Sequence, residues 1–191
     1  MLVGNIGIGL GVTIFYFSGL GNDPFSGMNM ILSERIGLSY GNFLLIVNTC
    51  LFLLELLFGK QYIQIGTLVN WIGIGYVVDV FRYLFTNYIP EPKNLFLSVL
   101  IMLSGVLVMS FSISVYQTAD MGLAPFDSLA FLIRNHTPIP YFWARISVDA
   151  LCAFICLFAG GFVGLGTFVC AFGLGPFIAF FNKHFSNKVL K

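Results

Sequence analysis

Charge is what this sequence has least of. Only 9% of its 191 residues are Asp, Glu, Lys or Arg, against 58% hydrophobic residues, and the mean hydropathy is +0.94. A soluble domain of this size has too little interior for that much apolar surface, so lipid has to cover the remainder. The same scarcity excludes a broad basic face: the net charge is +1, and no nucleic-acid partner is expected. The four cysteines, Cys50, Cys152, Cys156 and Cys170, show no CxxC or Cys/His spacing, which disfavours disulfides and zinc. Cysteines inside apolar runs pack as small hydrophobes. The two histidines, His136 and His184, belong to no His-Glu-x-x-His run, and no Gly-x-Ser-x-Gly run occurs, so an enzyme is not expected. No nucleotide-binding Gly-Lys-Ser/Thr loop is present either, so energy from ATP would have to come from a partner. No cofactor or metal is implied.

What the chain does have is apolar length. Crossing about 30 Å of hydrocarbon takes about 20 helical residues. Six runs meet that yardstick, at roughly 2–20, 41–58, 66–86, 95–118, 141–160 and 165–184. The first lacks the basic flank and cleavage pattern of a secretory signal and reads as a retained helix. The fold class expected is all-α and integral to the membrane, a single domain over residues 1–191.

The domain is written twice. Shifted by 101 residues, "GNDPFSGM" meets "GLAPFDSL", with Gly21, Pro24 and Phe25 on Gly122, Pro125 and Phe126; Tyr40 then falls on Tyr141 and Asn48 on Asp149. With one residue dropped, "GTLVNWIGIG" (66–75) meets "GTFVCAFGLG" (166–175). Matches in the same order across three successive elements indicate duplication, with repeats over about 1–90 and 91–191. Three spans is an odd number, so the halves are expected to be inverted copies. Lys60, Arg134, Lys183, Lys188 and Lys191 fall on the side of the termini, and Arg35, Arg82 and Lys93 on the other. That excess predicts both termini in the cytoplasm.

After the first span of each half comes a short apolar stretch, "DPFSGMNMILSERIG" and "APFDSLAFLIRNHTPIP". Each opens on a proline suited to the first helical turn, with Asp23 placed as an N-cap and Asp127 near the start of the other. Gly37 and the Pro138, Pro140 pair stop them. About three turns cannot span a bilayer. Two readings follow: an amphipathic helix in the interface, or a re-entrant half-helix whose N-terminus reaches a buried polar site. The first is favoured because the neighbouring spans already cross unaided.

Gly66, Asn70 and Gly73 form one helical stripe and Gly166, Cys170 and Gly173 its counterpart; Gly4, Gly7 and Gly11 form another on the first span. Such stripes predict close helix contacts, since small residues let backbones approach where lipid offers no hydrophobic drive. Of the intramembrane polar residues, Glu55 and Asp79 lie near span ends within reach of headgroups, Asp79 with Arg82 one turn on. Arg145 and Asp149 form an i,i+4 pair. Asn48 and Asp149 occupy equivalent depths, so the candidate solute pathway is Asn48, Asp149, Asn70 and Arg145. Mutual neutralisation of Arg145 and Asp149, and helix-to-helix hydrogen bonding by Asn48, are the competing structural roles.

The succession "GLGNDPF", "YGNFLLIVN" and "GTLVNWIGIGYVVD" resembles the YczE/YyaS/YitT-type family of bacterial membrane proteins, over nearly the whole chain and in both halves. The abrupt start departs from that family, whose members usually carry a basic stretch before the first helix. The resemblance implies a small multi-pass protein of the cytoplasmic membrane and little about its chemistry. The function expected is a small-solute or ion transporter. The alternative is an accessory or regulatory subunit docked on another membrane protein, including the substrate-capturing subunit of a larger importer. A cavity lined by Asn48 and Asp149 would favour transport; a solid core with an exposed glycine groove would favour docking.

Overall fold

The computed structural model describes residues 1–119 and 121–186; Lys188 and Lys191, counted above for orientation, lie outside the described residues. All secondary structure described is helical. In chain order the α-helices are α1 (Leu2–Ser18), α2 (Pro24–Ile36), α3 (Tyr40–Phe58), α4 (Ile65–Tyr88), α5 (Leu95–Thr118), α6 (Pro125–His136), α7 (Tyr141–Phe158) and α8 (Leu165–Phe181). Five of them, α3, α4, α5, α7 and α8 with the turn that follows it, are long and apolar enough to cross a membrane. The first helix is apolar but stops at 17 residues, because Gly19 turns left-handed (φ 68°) and its N–H returns to the Tyr16 carbonyl. Leu53, Leu57, Leu100, Leu103, Phe154 and Phe168 are exposed, as a lipid-facing belt requires.

The most extensive helix pairing in the molecule is between α1 and α5. The Gly4, Gly7, Gly11 stripe makes this possible: a Cβ on those residues would collide with Tyr116, Ser112 and Met109 of α5 respectively. Around this pair, α4 packs on α1 and α8 on α5, while α2 packs on α7 and α6 on α3. The core at the centre is built by Val12, Phe15, Leu44, Val78, Val106 and Met109.

The duplicated Gly-Thr phrase has a different use from the one its helical spacing predicts. The Gly66 N–H donates to the Met121 carbonyl at 2.8 Å, and the Gly166 N–H donates to the Leu20 carbonyl at 2.8 Å. Each α4 or α8 N-terminus is therefore clasped by the loop of the opposite half. Thr67 and Thr167 then accept from the N–H of Gln64 and Gly164, capping their own helices. The loops approach so closely because Gly21 (φ 104°) and Gly122 (φ 101°) hold left-handed conformations with Thr167 and Thr67 against them.

Gly73 and Gly173 do not make the close contacts expected of them. A Cβ on Gly73 would meet nothing within 4 Å, and one on Gly173 would meet only Val169 of its own helix, at 3.5 Å. The stripe fails at its far end because the crowding on that face sits at the helix start, at Gly66 and Gly166. Gly21→Ala and Gly122→Ala are accordingly expected to cost about 1–3 kcal/mol each, combining left-handed strain with a clash. Gly73→Leu should leave the midpoint of thermal unfolding in detergent near that of the parent.

Candidate functional site

The two short helices point their N-termini at each other. Pro24 and Pro125 open them, a position where the missing N–H costs nothing. Phe25 and Phe126, equivalent residues of the two halves, stack face to face with centroids 3.9 Å apart and planes inclined by 12°. Pro24, Ser26 and Met30 of α2 are buried, as are Pro125, Ser128 and Ala130 of α6, whereas Arg35, Arg134 and His136 near the far ends are exposed. Gly37 closes α2 in a left-handed turn (φ 75°). Each helix thus starts among buried residues and ends among exposed ones.

Polar side chains gather where the N-termini meet. Asp23 caps α2, its Oδ1 accepting from the Ser26 N–H at 3.0 Å. From α7, Arg145 reaches two carboxylates: Nη1 donates to Asp127 Oδ1 at 2.7 Å and Nε to Asp149 Oδ2 at 3.2 Å. The guanidinium also lies 4.9 Å over the Phe126 ring. These groups line a cavity of about 260 Å3 shared with Tyr40, Asn48, Asn70 and Tyr141. Both Asn48 and Asp149 are buried in the protein, at 2% and 6% exposure, yet face this space.

All four residues expected along a solute pathway therefore come together: Asn48, Asn70, Arg145 and Asp149 line one cavity. Asn70 has a structural bond as well, its Nδ2 donating to Asn5 Oδ1 of α1 at 2.8 Å. The turn motifs do more than open their helices. Asp23, the expected N-cap, and Asp127, near the start of α6, both line the cavity as well, and Asp127 makes the shorter of Arg145's two ion pairs. The repeated tyrosines, Tyr40 and Tyr141, carried the one available signal for the remaining aromatic wall.

Two polar residues lie elsewhere than expected. Asp79 accepts from the Gly41 N–H at 2.8 Å, capping α3, and Arg82 pairs with Glu34, not Asp79, at 3.2 Å. Glu55 does not reach headgroups: it is 0% exposed, and neither carboxylate oxygen has a hydrogen-bond partner among the described residues. It sits at the α3–α6 contact beside Ser128, one turn before Gly59, which Leu132 covers. A buried carboxylate without a partner weakens a fold. Glu55→Gln should therefore leave the thermal midpoint unchanged or raise it, and a fall of several degrees would show that the charged form is structurally required.

The two halves differ around the cavity. Gly41 and Gly75 bring α3 and α4 into backbone contact, with a Cβ on Gly75 only 2.8 Å from the Gly41 Cα. Their counterparts are Phe142 and Gly175, and a Cβ on Gly175 meets nothing within 4 Å. With a phenyl ring replacing hydrogen, α7 and α8 cannot close up, and the cavity extends between them past Phe142, Ile146 and Leu174. Pro176, inside α8, also removes a helical hydrogen bond at this level. A second, more open space of about 690 Å3 lies against α1, α2 and the loop after α7, lined by Tyr16, Asn22, Met30, Glu34 and Cys156. Asn22 lines this vestibule and Asp23 the cavity; the Asn22 amide holds the Val12 carbonyl and Met30 Sδ, and accepts from the Asp23 N–H.

Apolar helices of spanning length around a buried, charged cavity define a helical membrane protein with a polar interior. The chain belongs to the family of unknown function DUF6198, whose model matches residues 1–183. It is similar to the uncharacterized membrane protein YczE of Bacillus subtilis (strain 168), 27% identical over 84% of this chain and 73% of that one. It is similar also to the uncharacterized protein YyaS of the same organism, 28% identical over 97% of this chain and 94% of the relative. An uncharacterized protein of Haemophilus influenzae is 27% identical over 91% of this chain and 78% of its own. The resemblance drawn from the turn motifs thus holds for YczE and YyaS. No solved structure matches the chain.

Proposed function

We propose that this protein is a small-solute permease of the bacterial cytoplasmic membrane, built from six spans as two inverted three-helix repeats with both termini cytoplasmic. The observation that carries the reading is the cavity in which Asn48, Asp149 and Arg145 meet the N-termini of α2 and α6. Discontinuous helices that end at a buried polar site are the usual substrate-binding device of repeat transporters. In this reading α1 counts as a span despite its 17 residues, because the polar loops beside it are held by the opposite half. The α2 and α6 helices are re-entrant, and the vestibule beside Asn22 is the mouth of one access state. The opposite side, sealed at Glu55, Ser128 and Leu132, opens in the other state when the two halves exchange conformations.

Docking on a membrane partner is the second reading, supported by Gly73, which leaves a face of α4 without a packed neighbour. The test is uptake by proteoliposomes exposed to a defined mixture of small organic and inorganic solutes, with trapped solutes identified by mass spectrometry. Protein-dependent accumulation of one solute class, abolished by Asp149→Asn, is the result expected. Tight flux-free liposomes, together with co-purification of a stoichiometric membrane partner, would favour docking instead.

A further inference from the structure

We infer that the solute bound in the central cavity is a small organic cation, of the amine or guanidinium class. The inference rests on the transport reading and specifies its substrate.

Charge balance carries it. Three carboxylates line the cavity, Asp23, Asp127 and Asp149, against one cationic side chain among the described residues, Arg145. The guanidinium is already engaged by Asp127 and Asp149. Each half-helix N-terminus adds roughly half a positive charge, and both already face a carboxylate. The sum leaves about one negative charge inside a low-dielectric wall, which an anionic solute would worsen and a monovalent cation would offset.

Asp23 supplies an acceptor to a cation. It is 9% exposed, and its Oδ2 has no hydrogen-bond partner among the described residues, while Oδ1 is occupied by the α2 cap. Aromatic surface selects an organic cation over a hydrated metal ion. Phe25, Phe126, Tyr40 and Tyr141 line the cavity, and one of these rings, Phe126, already carries the Arg145 guanidinium over its face. The volume, about 260 Å3, falls below the drug-sized range of roughly 300–1,000 Å3 and suits a cation of a few heavy atoms.

The experiment titrates purified protein in detergent, at pH 7 and constant ionic strength, with methylguanidinium, tetramethylammonium, sodium, glycine and acetate, following the thermal midpoint. Wild type should be stabilised saturably by methylguanidinium or tetramethylammonium and not by sodium, glycine or acetate. Asp23→Asn keeps an N-cap oxygen and the side-chain shape, so it should fold, and its affinity for the cation should drop about 10-fold or more. Stabilisation by acetate or glycine, with none by the organic cations, would overturn the charge assignment while leaving a solute-binding cavity in place. Equal affinity of wild type and Asp23→Asn would overturn the role of the free oxygen. Silence toward all five solutes, combined with no uptake from the solute mixture above, would remove both the cation and the transport reading.

Discussion

Arg145→Gln is expected to cost about 3–5 kcal/mol of stability, the scale seen when one member of a buried ion pair is removed. Two carboxylates would lose their only cationic neighbour in the cavity among the described residues, Asp127 at 2.7 Å and Asp149 at 3.2 Å. The Arg145 side chain keeps 32% exposure, so water in the cavity softens the loss toward the lower end of that range. Thermal unfolding in detergent should register a drop of many degrees. Neutralising both acids in the same chain, Arg145→Gln with Asp127→Asn and Asp149→Asn, should recover most of it, because no charge is then left stranded. A single Arg145→Gln as stable as the parent would mean that solvent, not the ion pairs, sustains these charges.

Asp149→Asn should behave differently, and the contrast separates function from support. Arg145 retains Asp127 through the shorter contact, so this change leaves the cation paired and should cost less than about 1.5 kcal/mol. Uptake of the transported solute should nevertheless fall about 10-fold or more, since a charge has left the pathway while the side-chain shape remains. Were Asp149 only the counter-ion of Arg145, uptake by Asp149→Asn would fall only as far as its stability does. Uptake lost in a variant that keeps the thermal midpoint of the parent marks Asp149 as part of the pathway.

Much of this site was legible in the sequence because duplication exposes it. Asn48 and Asp149 align by the same shift that aligns Phe25 with Phe126, and all four residues line the same cavity. The glycine stripe misled because spacing of three and four residues identifies a helix face without saying what covers it. Gly66 and Gly166 are covered by loop carbonyls of the other half, whereas the face at Gly73 is left open. Distance along the span places Glu55 within reach of headgroups. Its burial depends on α6 folding back against α3, a contact that no local pattern encodes. Asp127 was read as a helix-start residue, and the reach of Arg145 back to it from 18 residues away is a tertiary fact. The looseness of α7 against α8 was written in one position, Phe142 opposite Gly41 of the other half, but only packing gives that difference its meaning.

In the proposed permease, water and solute reach Asn48 from both faces of the membrane in turn. In a chain whose four native cysteines are replaced, Asn48→Cys can be challenged with a membrane-impermeant cationic thiol reagent in right-side-out and inside-out vesicles. Labelling from both sides, slowed by a saturating organic cation, is the result expected. Labelling confined to one side, or absent until the protein is denatured, would contradict the permease reading.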